Sequence, residues 1–134
     1  MAQYVLQDMV NQLQANDEFM IDSAACSSEE IGNGVHAGTK RKLAEVGIPC
    51  GNHRARQISK ADGEAFDYLI GMDDANLAGM KRRIGSEYHS KMYKLLAFSG
   101  SERDIADPWY TGNFDDTYED VVTGCKALLK QLGY

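Results

Sequence analysis

Residues 66–77 read "FDYLIGMDDANL". Phe66 to Met72 is a short apolar run of strand length. Asp73 follows it and is of the type that caps a helix by accepting a backbone N–H from the first turn. Leu77, Met80 and Ile84 then recur at helical spacing. A strand that hands over directly to a helix is the repeating unit of sheets with parallel strands.

Outward from this unit the same alternation continues. Residues 2–15 place Val5, Leu6, Met9, Val10 and Leu13 on one helical stripe, and residues 19–25, "FMIDSAA", are expected to form a short buried strand. Thr39 to Val46 reads as a second helix with Gly47 just past its end. Residues 91–98, "KMYKLLAF", are expected to be a further strand. A last helix, starting near residues 115–117, carries Tyr118, Val121, Val122, Cys125, Leu128, Leu129 and Leu132 on one face. The expected class is α/β, a three-layer αβα arrangement around a short parallel sheet. Ligands of such sheets bind beyond the carboxyl ends of the strands, which directs attention to residues 23–35, 71–76 and 99–114.

The chain has 134 residues, the size of one domain, and a formal net charge of −6, which argues against nucleic acid or an anionic membrane as partner. Its basic runs, 40–42 and 81–83, fit a solvated helix face or a final helical turn. No apolar run approaches the length needed to cross a bilayer, and no signal-peptide pattern is read, so a cytoplasmic location is expected. Cys26, Cys50 and Cys125 are an odd number in no framework spacing, which fits reduced thiols. His36, His53 and His89 share no ligand spacing with each other or the cysteines, so neither a metal nor a cofactor is expected.

Residues 50–57, "CGNHRARQ", contain Cys-x5-Arg, the spacing of a loop in which a thiolate attacks phosphorus while an Arg holds the phosphoryl oxygens. Such a loop needs a buried strand before it and a helix opening after it, so that helix N–H groups face the anion. Cys50 instead follows a helix end with Gly47 and Pro49, and Asp62 and Gly63 interrupt any long helix after Arg56. The match reads as an accident of spacing.

Four stretches carry a family resemblance: "IDSAACSSEEIG" at 21–32, "HRARQISKAD" at 53–62, "FDYLIGMDDANL" at 66–77 and "DIADPWYTGNFDDTYEDVVTGCKALL" at 104–129. From residue 1 to about 131 the chain resembles the low molecular weight protein tyrosine phosphatases. The resemblance implies a single domain over residues 1–134, with sheet order 2-1-3-4. In the family a first strand and a Cys-x5-Arg-Ser loop precede a helix that reads like "MAQYVLQDMV". The nucleophile, the phosphate-binding Arg and one internal strand are therefore expected upstream of Met1, and the 134 residues alone are expected to be inactive.

The resemblance implies hydrolysis of phosphotyrosine, in proteins or small aryl phosphates, through a phosphocysteine intermediate. Asp107 would protonate the leaving phenolate and then activate water. By itself Asp107 reads more readily as a turn residue before Pro108, the resemblance is what favours the acid, and Asp104 is the weaker alternative. Trp109 and Tyr110 would form an aromatic wall of the cleft, although aromatics can also anchor a long loop to the core. Trp109 departs from the family's usual Tyr. Glu29 or Glu30 stands where relatives often carry a bulky selectivity residue. Ser23 and His53 match residues that support the catalytic loop, and phosphate or a similar oxyanion would bind if that loop were present. The rival functions are a non-catalytic pseudophosphatase or assembly module, and an arsenate reductase of the same fold. A missing internal strand also leads us to expect a homo-oligomer, another chain covering the exposed edges.

Overall fold

The computed structural model describes residues 1–134. Six helices are present: α1 (Ala2–Gln12), α2 (Ala37–Glu45), α3 (Lys60–Ala65), α4 (Asp74–Ile84), α5 (Pro108–Thr111) and α6 (Phe114–Gln131). Two strands, β1 (Leu69–Gly71) and β2 (Met92–Lys94), pair in parallel with Leu69 opposite Met92 and Gly71 opposite Lys94. Tight 3-10 turns occupy Asn16–Glu18, Ser86–Lys91 and Leu95–Ser99.

Helix α4 is the crossover between the two strands. It starts where Asp73 accepts the Asn76 N–H at 2.7 Å, and the Asn76 side chain in turn accepts the Met72 N–H at 2.9 Å. Alternation along β1 sorts its residues between two layers. Leu69 joins Ile58, Met80, Ile84 and Met92 beneath α4. Ile70 packs on the opposite side, against a core that contains Val5, Leu43, Leu95, Leu96, Ile105, Val121 and Cys125. Helices α1, α2 and α6 supply that layer, so the sheet is covered on both faces.

Three expectations are corrected. Residues 19–25 form no strand: their one bridge joins Ala25 to Gln57, and Met20 is 67% exposed. A strand persists only where its N–H and C=O groups find a ladder, and the sheet consists of β1 and β2 alone. The segment expected as a strand over 91–98 shortens to Met92–Lys94, because the chain turns into a 3-10 helix at Leu95. After Arg56 the chain forms only the short helix α3, residues 60–65, started by Asp62, whose carboxylate reaches back to the Ser59 N–H at 2.8 Å. The first helix also stops at Gln12, which leaves Leu13 half exposed.

Candidate functional site

Ser23 and His53 come together although 30 residues separate them, with Ser23 Oγ 3.1 Å from His53 Nε2. They face a cavity of about 210 Å³ also lined by Ala25, Asn33, Val35 and Arg56. Ser23 donates its hydroxyl proton to Gln3 Oε1 at 2.7 Å. The His53 backbone N–H donates to the Tyr4 hydroxyl at 3.1 Å, so α1 anchors both residues. Behind them His53 Nδ1 lies 3.4 Å from Asp22 Oδ1.

Arg56 continues this network rather than facing an anion. Its Nε donates to Asp22 Oδ2 at 3.2 Å and its Nη1 to Asp62 Oδ2 at 3.0 Å. The hydrogen bond to Asp62 comes first in holding the guanidinium above its usual range. Burial alone would raise the Asp62 carboxyl, but the bonds from Arg56 and from the Ser59 N–H outweigh it and hold the group below its ordinary value.

Residues 55–58 run extended, with the Arg56 carbonyl accepting from the Ala25 N–H and the Ala55 N–H donating to the Asn33 carbonyl, each at 2.8 Å. The Ala55 N–H and the Arg56 side chain are thus committed to protein partners, as is the His53 N–H.

The two thiols other than Cys50 are shifted away from the thiolate. Burial pushes the Cys125 thiol up to about 12, and burial also raises the half-buried Cys26, which donates to the Asn76 carbonyl at 3.6 Å. A phosphate-attacking thiol requires the opposite shift.

The loop that follows the sheet carries the second part of the site. Lys94, the last residue of β2, holds Asp104 at 3.0 Å and Asp74 at 3.1 Å, and also donates to the Glu102 carbonyl. The Asp74 N–H donates to Asp104 at 3.2 Å, and the Ile105 N–H to the Met72 carbonyl at 2.9 Å. These bonds fasten the loop to the carboxyl ends of both strands, where such sheets present their ligand sites.

Asp104 is thereby committed to structure. Asp107 is exposed, and its protein partner is the Trp109 N–H, which donates to Oδ1 at 2.9 Å as α5 begins. Trp109 and Tyr110 follow, 63% and 85% exposed. Trp109 meets the His36 ring edge to face, centroids 4.6 Å apart. His36 follows Val35, a lining residue of the cavity, so the Trp109–His36 contact ties the 107–110 loop to the segment that lines it.

Glu29 lies exposed in the 27–32 turn without a hydrogen bond or ion pair, and Glu30 accepts from Asn33 Nδ2 at 2.6 Å. Neither touches the aromatic pair. Sequence reasoning missed Lys94, Asp22 and His36. Only Asp62 carried a local signal, the Ser59-x-x-Asp62 spacing of a capping box.

The whole chain, residues 1–134, matches the family model for the low molecular weight phosphotyrosine protein phosphatases. The low molecular weight protein-tyrosine-phosphatase YfkJ of Bacillus subtilis is 33% identical over 98% of this chain and 86% of its own length. The low molecular weight phosphotyrosine protein phosphatase of Gallus gallus is 34% identical over 97% and 85%, respectively. The crystal structure of YfkJ matches the fold with a TM-score of 0.92, covering 98% of this chain and 84% of that one.

Proposed function

The chain belongs to the low molecular weight phosphotyrosine protein phosphatase family, and from that membership we propose that it is built to hydrolyse phosphotyrosine through a phosphocysteine intermediate. The observation that carries this reading is an exposed carboxylate, Asp107, and an aromatic pair on one loop, which the Trp109–His36 contact ties to the segment lining the Ser23–His53 cavity. In this scheme a thiolate displaces the tyrosyl oxygen and Asp107 gives that oxygen its proton. The carboxylate so formed takes a proton from water, which cleaves the phosphorus–sulfur bond and returns the thiolate. Trp109 and Tyr110 supply apolar surface to the phenyl ring. Ser23 and His53 are supports that orient the nucleophile loop.

Residues 1–134 do not themselves supply the nucleophile or the anion clamp. Arg56 is committed to Asp22 and Asp62, and burial raises the Cys26 and Cys125 thiols, away from the thiolate. On this reading the 134-residue polypeptide alone turns over no aryl phosphate, and residues 1–134 act as one phosphatase-type domain. An arsenate reductase gains no support, because Cys26 and Cys125 are both raised by burial, the wrong direction for resolving an adduct. A binding-only role is the outcome to distinguish from catalysis.

The experiment joins a strand and a Cys-x5-Arg loop, taken from a relative, ahead of Met1 and compares two aryl phosphates. The joined protein turns over both, and the 134-residue chain neither. Asp107→Asn slows the substrate with the poor leaving group by roughly 10²–10⁴-fold, the usual range for a general acid, and the activated one much less. Asp104→Asn leaves that selectivity intact. A joined protein that melts cooperatively and binds phosphotyrosine without turnover establishes the binding-only role. Equal losses for both substrates remove Asp107 from leaving-group expulsion.

A further inference from the structure

We propose that His36 is the positioning residue of the aromatic wall: its ring fixes the direction of the Trp109 indole. The inference rests on the phosphatase reading for its purpose, and on geometry for its content. Trp109 is too exposed for the core to fix its side chain. Its one aromatic neighbour is His36, at an interplanar angle of 69°, the edge-to-face arrangement that aromatic pairs favour. Tyr110, 85% exposed, has no aromatic neighbour.

His36 is itself held from two sides. As the residue preceding α2, it accepts the Gly38 N–H on Nδ1 at 3.2 Å, capping the helix with its side chain. Its ring face lies parallel to Phe114, the first residue of α6, with centroids 5.9 Å apart. Phe114 reaches that position because residue 38 is glycine; a Cβ there would stand 2.2 Å from the Phe114 ring. The first turns of α2 and α6 thus clamp one imidazole, and the imidazole orients Trp109. The Trp109 N–H is also the donor to Asp107. That donor is the backbone amide, so the turn into α5 holds the carboxylate while His36 holds the ring.

Trp109 is the only tryptophan in the chain, so its fluorescence reports this contact alone. His36→Asn keeps a capping oxygen and removes the ring. We expect its melting temperature to stay near that of the parent, while Trp109 emission moves to longer wavelength and acrylamide quenches it more strongly. His36→Phe keeps a ring and loses the cap. Its emission should stay near the parent value while the melting temperature falls by roughly 3–6 °C, the effect of a lost cap in a chain of this size. Unchanged emission and quenching in His36→Asn would overturn the proposal, as would equal emission shifts in both variants. No substrate enters the measurement, so a failure of the phosphatase reading shows in turnover alone and leaves these spectra as they are.

Discussion

Arg56 lies between Asp22 and Asp62, and the second carboxylate does two things at once. It accepts from Arg56 at 3.0 Å and from the Ser59 N–H at 2.8 Å, so one side chain both starts α3 and fixes the guanidinium behind His53. Its folded value lies below the unfolded carboxylate value of 3.8. Stability from this group is therefore complete above that unfolded value and is lost as pH falls through the folded one. Asp62→Asn should destabilise the chain by about 1–2 kcal/mol at neutral pH, a lost reach-back bond and a weakened charged one. It should also flatten the acid limb of the stability–pH curve. Denaturant titrations from pH 2 to 7 check both, and parallel acid limbs for parent and variant would show that Asp62 is not the titrating group. The Ser59-x-x-Asp62 spacing that makes the cap is visible in the sequence. The bonds from Arg56 to Asp22, 34 residues earlier, are not, because only the fold brings them together.

Elements follow the same division between local and distant causes. The β1–α4 unit is legible because a strand, an Asp cap and an apolar helical stripe are consecutive, and α6 is legible because its stripe is long. The end of β2 is not. Leu95 and Leu96 are adjacent yet both belong to one core cluster, whereas a strand would send them to opposite faces. A 3-10 turn serves both, and it rests on α6 at Gly124, where a Cβ would lie 2.4 Å from Leu95 Cγ. Gly124→Ala gains up to about 1 kcal/mol of helix preference but overpacks this contact at a cost of about 1–3 kcal/mol. The net expectation is a loss of about 1–2 kcal/mol. In a Leu95→Ala background, itself costing about 2–5 kcal/mol, the same change should become neutral or stabilising. Chemical denaturation of the four proteins measures the coupling. Additive effects would mean that α6 has room to shift.

For the whole molecule, the segment 19–25 leads from the first core layer into the cavity, and it explains why the sheet could not be fully read in advance. Strand propensity needs a neighbour, and among residues 1–134 the only neighbour is the short bridge at Ala25. Met20, Ile21, Asp22 and Ala24 donate their N–H groups to no protein partner. Phe19 and Ile21 pack inward against Val10, Ala15 and Leu129, while Met20 and Leu13 face solvent. An extended segment with free donors and exposed apolar side chains is a template for another chain. A second copy can satisfy the donors and remove apolar surface from water at about 25 cal/mol per Å². The 134-residue chain should therefore associate at micromolar concentration, with a light-scattering mass above that of one chain. Met20→Lys places a charge on that edge and should return the mass toward one chain without lowering the melting temperature of the subunit core. A monomer that melts cooperatively at the same concentration, with Met20→Lys indistinguishable from it, would show that water alone satisfies the edge.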